Sequence, residues 1–404
     1  MVSKNATYWI TLSLVLGYNT PKIKQLHKLY PDISWFLRAG ENEWRRSGVL
    51  ANTDINKLAQ ANPADSERIL ARCRELGYSV LALDDEAYPE SLYHIYAPPA
   101  VLYVSGELPD FNSRLSIGVV GTRTASRYGT ENSYKIAYSL AKYGTVIVSG
   151  GALGVDCASH RGSLAADGVT VCVRGCGIND SYLHENRDMR RAIIRKGAVV
   201  SEYPPDEPPR KYYFPARNRI IAALSDGVLL IEAGEKSGSL ITANMALDMG
   251  KELFALLGNN NYHNTGSNRL IKDGLAIPVT DFMDILVAFD NLEVSFENIG
   301  LDSISLADIE AIPVKAEQKT AVKRTVKKSA SQKPTAAPKT TKKEINLTGD
   351  EKAVYDYLTA EPVHIDTIAG ALSLPVSRAL SALTLLEIKG LIVQKQSRNF
   401  GLKQ

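Results

Sequence analysis

Residues 116–129 read Ser116-Ile117-Gly118-Val119-Val120-Gly121-Thr122-Arg123-Thr124-Ala125-Ser126-Arg127-Tyr128-Gly129, a short β-branched run closed by a glycine turn. The stretch Tyr128 to Lys142 that follows has helical spacing, and the same unit then recurs along the chain. Val146 to Ser149 precedes Ala158 to Ala166, Val169 to Val173 precedes Asn186 to Arg195, and Val199 to Glu202 precedes Arg217 to Leu224. Val228 to Glu232 leads to Leu240 to Met249, and Leu253 to Leu257 leads to Asn268 to Asp273. Apolar strands alternating with amphipathic helices imply right-handed βαβ crossovers and a parallel sheet covered on both faces. The expected fold is α/β, a Rossmann-like doubly wound parallel sheet.

Around this core the chain divides by pattern. Residues 1–78 have apolar positions at helical spacing (Ile10, Leu14, Ile23, Leu26, Leu29, Ile55, Leu58, Ile69, Leu70, Leu76) and are expected to form a small helical domain. Residues 79–312 hold the core and its connector, which carries two extended pieces at Ser79 to Leu83 and Val101 to Val104. Residues 313–345 hold ten Lys/Arg against Glu317 and Glu344, lack aromatic residues and show no period, and are expected to be a disordered basic linker. Residues 346–404 open on a capping box, Thr348 with Glu351, and continue with Ile365 to Leu372, Val376 to Ile388 and two short strands, the pattern of a winged helix. Its acids and bases balance, and its expected recognition helix offers only Arg378 near the start, which disfavours strong duplex binding.

With 404 residues, 45% hydrophobic and 23% charged, the chain is long enough for two or three globular domains. The net charge of +3 hides the linker's +8, so the remainder is acidic and any polyanion site on it is a local patch. The apolar run Ile10 to Leu16 is short and broken by Thr11 and Ser13, which suits a core helix better than an export signal or membrane span. Cys73, Cys157, Cys172 and Cys176 form no CxxC pair; reduced thiols, no metal site and a cytoplasmic location are expected.

In an open parallel sheet, ligands bind beyond the carboxyl ends of the strands, so the loops there carry the function. The first loop holds Gly121 and Arg123. The second, Ser149-Gly150-Gly151-Ala152-Leu153-Gly154, frees backbone amides to face an anion. The third, Gly175-Cys176-Gly177, is followed by Tyr182, His184, Asn186 and Arg187. The fourth runs from Glu232 through Ser237-Gly238-Ser239 into a helix whose first amides lack partners. Between the third and fourth, Tyr212-Tyr213-Phe214-Pro215-Ala216-Arg217-Asn218-Arg219 puts a proline near a helix start and two arginines beside the positive end of that helix. Four such loops together point to phosphate. The dinucleotide fingerprint fails at Thr122-Arg123, and the ATPase loop fails because Glu235 stands where a glycine is needed, so no cofactor is expected. His160 stands four residues after Asp156, a spacing open to an acid/base pair, but no nucleophile completes a triad and a packed histidine is the favoured reading.

The residues quoted above resemble the DNA-processing protein A family (DprA, also called Smf). The resemblance runs from Tyr88-Pro89 and Pro98-Pro99 through Gly121-Thr122-Arg123, Gly154-Val155-Asp156, Ser201-Glu202-Tyr203, the Phe-Pro-x-Arg-Asn-Arg string, Ser237-Gly238-Ser239-Leu240-Ile241-Thr242 and Leu270-Ile271-Lys272-Asp273-Gly274. It implies a dimeric, noncatalytic protein that coats single-stranded DNA and places RecA on it, displacing single-strand binding protein, in natural transformation. It also implies a helical (SAM-like) N-terminal module and a C-terminal winged helix. By the resemblance, the DNA pocket maps onto Gly121, Arg123, Ser149, Gly150, Gly151, His184, Arg187, Lys211, Arg217, Asn218, Arg219, Ser237, Gly238 and Ser239, and the dimer contact onto Leu270, Ile271 and Ile277. Tyr182-Leu183-His184 departs from the family's Tyr-Pro and basic residue, which weakens the basic contribution of the third loop. The rival class is a nucleotide-phosphoribohydrolase-like Rossmann enzyme, whose Pro-Gly-Gly-x-Gly-Thr loop is absent here.

Overall fold

The computed structural model describes residues 3–289 and, with interruptions from 360 onward, 349–402; the basic stretch 313–345 lies outside the described residues. Two compact units result, Met1–Lys319 and Thr320–Gln404. The first begins with six helices, α1 (Ala6–Leu16), α2 (Lys22–Leu29), α3 (Ile33–Ala39), α4 (Glu41–Arg46), α5 (Asn52–Ala59) and α6 (Pro63–Leu76). Local chemistry starts and stops them: Asn62 accepts the Ala64 amide and Pro63 occupies the first turn of α6, while Gly77 ends it in the left-handed region at φ 69°. Trp9, Ile10, Leu26, Ile33 and Phe36 are fully buried among these helices, and their cluster is continuous with the apolar face of the sheet.

The sheet has nine strands: β1 (Ser79–Ala82), β2 (Val101–Gly106), β3 (Ser116–Val120), β4 (Val146–Ser149), β5 (Thr170–Val173), β6 (Ala198–Ser201), β7 (Gly227–Leu230), β8 (Glu252–Leu256) and β9 (Ile277–Val279). Their order is β1-β2-β6-β5-β4-β3-β7-β8-β9. From β6 to β9 every pairing is parallel; β1 and β2 join antiparallel at the β6 side, so the sheet is mixed at that edge. Side chains alternate across each strand: Ile117, Val119, Leu229 and Ile231 enter one core cluster, whereas Val120, Val228 and Leu230 enter the other. Burial on both faces explains why these strands read as unbroken apolar runs.

A short helix, α7 (Glu90–His94), lies between β1 and β2; the crossover helices are α8 (Arg127–Lys142), α9 (Val155–Ala165), α10 (Arg187–Lys196), α11 (Tyr213–Ala223), α12 (Ser239–Asp248) and α13 (Thr265–Lys272). Two of the starts that differ from expectation shape the site. Helix α9 begins three residues early, at Val155, because Gly154 at φ 77° turns the chain directly into it. Helix α11 begins at Tyr213, so Arg217 and Arg219 lie a full turn inside the helix. The chain reverses direction across the sheet between β3 and β7, which makes their carboxyl ends the topological switch point.

The second unit holds helices Gly349–Tyr357 and Ile365–Ala371 and a three-stranded sheet with Asn399–Leu402 between Val363–His364 and Ile392–Lys395. Val354, Leu358, Ile368, Leu383, Leu386, Ile392 and Phe400 form its core, in agreement with a winged helix. Most of the expected recognition helix, residues 376–388, lies outside the described residues.

Candidate functional site

A cleft of about 750 Å³ opens at the switch point. Its walls come from Gly121 to Arg123 after β3, Ala152 and Asp156 after β4, Tyr182 after β5, Lys211 to Ile221 entering α11, and Ser237 to Thr242 entering α12. Sequence positions more than a hundred residues apart meet here because parallel strands all present their carboxyl ends to one edge of the sheet.

The glycines permit the approach of loop to loop. A Cβ on Gly121 would lie 2.5 Å from Val155 Cγ2, and one on Gly154 would lie 2.5 Å from the Thr122 carbonyl oxygen. The first and second loops therefore lock together only because both positions lack a side chain. Asp156 Oδ2 accepts the Ala152 amide at 3.2 Å and pins the second loop. Burial pushes the Asp156 carboxyl above its ordinary range, while the Arg217 guanidinium pulls it back.

The expected site residues separate into three groups. Arg123 and Lys211 are exposed on the cleft wall, and among the described residues neither pairs with a carboxylate. Arg123 sits 5.4 Å above the Phe214 ring and reaches the Tyr182 hydroxyl at 3.4 Å. Gly121, Asn218, Ser237, Gly238 and Ser239 also line the cleft, but the first amides of α12 are not free as expected: Ser239 donates to the Ser237 hydroxyl at 3.4 Å, and Leu240 and Ile241 donate to the Ser237 and Gly238 carbonyls, each at 3.2 Å, because the entry closes as a tight turn. These residues set hydroxyl and amide side chains beside the two exposed cations.

A second group lies beneath the surface. Arg217 is buried; one of its nitrogens bonds the carbonyls of Gly150, at 2.9 Å, and Val173, so the guanidinium ties the second loop to the end of β5 and forms the cleft floor. Burial holds its pKa below the ordinary value. Gly150 packs against this floor, since a Cβ there would meet Arg217 Nη2 and Asp156 Oδ2, each at 2.7 Å, whereas a Cβ on Gly151 would meet Cys172 Sγ at 2.5 Å. Ser149 is fully buried and donates to the Val119 carbonyl at 2.6 Å, joining β4 to β3.

The third group is not brought to the cleft. Arg219 is buried on the opposite side of α11, bidentate to Glu202 at 2.7 Å and bonded to the Ala97 carbonyl at 2.9 Å. A helix turns 100° per residue, so two positions two apart face opposite ways. His184 is exposed against Glu185, and Arg187 is exposed at the start of α10, outside the cleft lining. Leu270 belongs to the core, Ile271 is half-buried, and Ile277 is exposed on β9, the last strand of the sheet.

Sequence reasoning left Phe214 out of the site, although it lines the cleft and packs at 5.2 Å from Tyr182. The available signal was its place in the first turn of α11, next to the residues chosen. Of the neighbouring tyrosines, Tyr213 is core, stacked on Tyr203 at 3.8 Å, and Tyr212 is exposed.

His160 is fully buried in α9, its Nδ1 2.7 Å from Thr170 Oγ1. Thr170 spends its own hydrogen on the Ile147 carbonyl, so His160 Nδ1 carries the proton and donates. Burial, with help from Arg217, depresses its pKa to about 3, and the ring is a packed neutral histidine. Because the folded pKa lies below the unfolded one, the unfolded chain binds the extra proton between about pH 6.5 and 3. The stability His160 contributes is complete above pH 6.5 and is lost as pH falls toward 3. Urea titrations across this range should show His160→Gln losing less stability than wild type; parallel curves would contradict the buried neutral state.

Among the described residues, no three His, Cys, Asp or Glu side chains are grouped to hold a metal, and no helix is long and apolar enough to cross a membrane.

Comparison with known proteins places this architecture. Residues 79–290 match the model of DNA recombination-mediator protein A, and residues 333–396 match the DprA winged helix domain. The chain is 41% identical over 214 residues to the DNA processing protein DprA of Bacillus subtilis, covering 53% of this chain and 72% of the relative. It is 29% identical over 417 residues to the protein Smf of Synechocystis sp., covering 99% of each. The solved DNA processing protein A from Streptococcus pneumoniae superposes with a TM-score of 0.62 at 31% identity, covering 72% of this chain and 99% of that one.

Proposed function

This chain belongs to the DNA recombination-mediator protein A family, and from that premise we propose that its switch-point cleft holds the backbone of single-stranded DNA. One observation carries the reading: the cleft gathers two cations that pair with no carboxylate among the described residues, Arg123 and Lys211, the serines Ser237 and Ser239 at the positive end of α12, and the Phe214–Tyr182 aromatic pair. Cations and hydroxyls track phosphates without reading sequence, and aromatic faces take bases that are free of a duplex. No helix or ribbon is presented to a major groove by the cleft.

In this reading the protein is a noncatalytic mediator. It coats incoming single strands in natural transformation, displaces single-strand binding protein, and loads RecA. It works in the cytoplasm as a homodimer joined at the segment around Leu270, Ile271 and Ile277, beside β9, the last strand of the sheet among the described residues. The hydrolase alternative gains no support, because both oxygens of Glu232 are engaged by Ser126, through its amide at 2.8 Å and its hydroxyl at 2.5 Å.

Fluorescent oligo-dT titrated over a salt series, with duplex DNA as competitor, tests this directly. The expected result is tight binding that prefers the single strand and weakens with salt by a log–log slope of about 0.7 per phosphate contact. Equal affinity for duplex would remove the single-strand assignment, and no binding would remove DNA altogether.

A further inference from the structure

The loop between β5 and α10 carries Tyr182 to the cleft, and two buried arginines hold it from beneath. Arg174, the residue after β5, reaches the carbonyls of Asp180 at 3.1 Å and Tyr182 at 3.4 Å and the Cys176 sulfur at 2.9 Å. Arg190, on α10, donates to the Leu183 carbonyl at 2.9 Å. Both side chains are buried, and among the described residues neither forms an ion pair. Burying a cation without a counter-ion is costly, and an apolar side chain would fill either position without that cost. What the guanidiniums supply instead is direction: three carbonyls within four residues converge on them.

Those carbonyls fix the segment that bears Tyr182. Asp180 Oδ1 accepts the Tyr182 amide at 2.7 Å, and Leu183 takes a left-handed φ of 55°, which turns the chain sharply just after the tyrosine. The Tyr182 ring then lies against Phe214, with its hydroxyl toward Arg123.

We propose that Arg174 and Arg190 are positioning residues that hold Tyr182 against Phe214 and so build the wall on which an unpaired base stacks. The inference rests on the single-strand reading of the cleft. The two arginines act through the loop and touch no DNA. Loss of an aromatic stacking contact lowers affinity by roughly five- to 150-fold per base, so release of the loop has a measurable effect.

The test uses the full chain and its Arg190→Gln, Arg190→Lys, Arg174→Met and Tyr182→Ala variants. In the free protein, hydrogen exchange should rise at the amides of residues 180–184 in Arg190→Gln and Arg174→Met while β5 stays protected, and Arg190→Lys should restore protection. With oligo-dT carrying one 2-aminopurine, the quenching that accompanies stacking should be lost in Arg190→Gln and Arg174→Met, as in Tyr182→Ala, with the salt slope unchanged. Unchanged exchange in the loop overturns the proposal, as does full quenching in both arginine variants. A flattened salt slope with quenching intact would make the arginines phosphate contacts and overturn it equally. If wild type itself shows neither binding nor quenching, the single-strand reading has failed, which differs visibly from a loss confined to the variants.

Discussion

Arg219→Ala is expected to lose about 3–5 kcal/mol of folding stability while leaving the salt slope of DNA binding intact, the penalty for stranding one member of a buried ion pair. The side chains of Arg219 and Glu202 are 5% and 2% exposed, and both nitrogen–oxygen pairs of the fork close at 2.7 Å. The same guanidinium also takes the carbonyls of Ala97 and Ala216, so it joins α11, the end of β6 and the segment before β2. Domains are stable by only ~5–15 kcal/mol, so a loss of this size unfolds a large fraction of molecules at modest urea. Replacing both partners, Arg219→Met with Glu202→Leu, should recover much of the loss, because no charge is then left buried alone. Urea unfolding followed by circular dichroism reads both variants. A stable Arg219→Ala protein with a flattened salt slope would return Arg219 to the DNA site.

Arg123→Ala should do the reverse: unfold like wild type and bind single strands at least about tenfold more weakly. A charge-assisted hydrogen bond to phosphate is worth ~1.5–3 kcal/mol, and the log–log salt slope should fall by about 0.7 for the lost contact. The loss should be the same for oligo-dT and for mixed sequences, since a backbone contact carries no base information. Lys211→Ala should add to it with little coupling wherever the two cations hold different phosphates. Arg123 also lies over Phe214, so Arg123→Lys keeps the charge yet loses the planar stacking face and should recover only part of the affinity. An Arg123→Ala protein with wild-type affinity and slope would take the cleft out of DNA binding.

The contrast between these two arginines shows where reading from sequence stops. The sheet was legible because strands buried on both faces must be apolar throughout and the intervening helices must be amphipathic, as Val146 to Ser149 and Tyr128 to Lys142 are. The candidate site was legible in part, because a doubly wound sheet directs every strand-end loop to one edge, and Gly121, Arg123, Lys211 and Ser237 to Ser239 do meet there. Direction was not legible. Moving the start of α11 four residues earlier placed Arg217 and Arg219 inside the helix and turned one to the cleft floor and the other to Glu202. The same limit hid Phe214, whose ring faces the cleft only because Tyr182 and Arg123 arrive from two other loops. The layers of this protein and the edge on which its loops gather follow from period and polarity along the chain. Which cations stay at the cleft surface and which are held inside depends on partners that packing brings together from distant positions, as Glu202 and Ala97 are brought to Arg219.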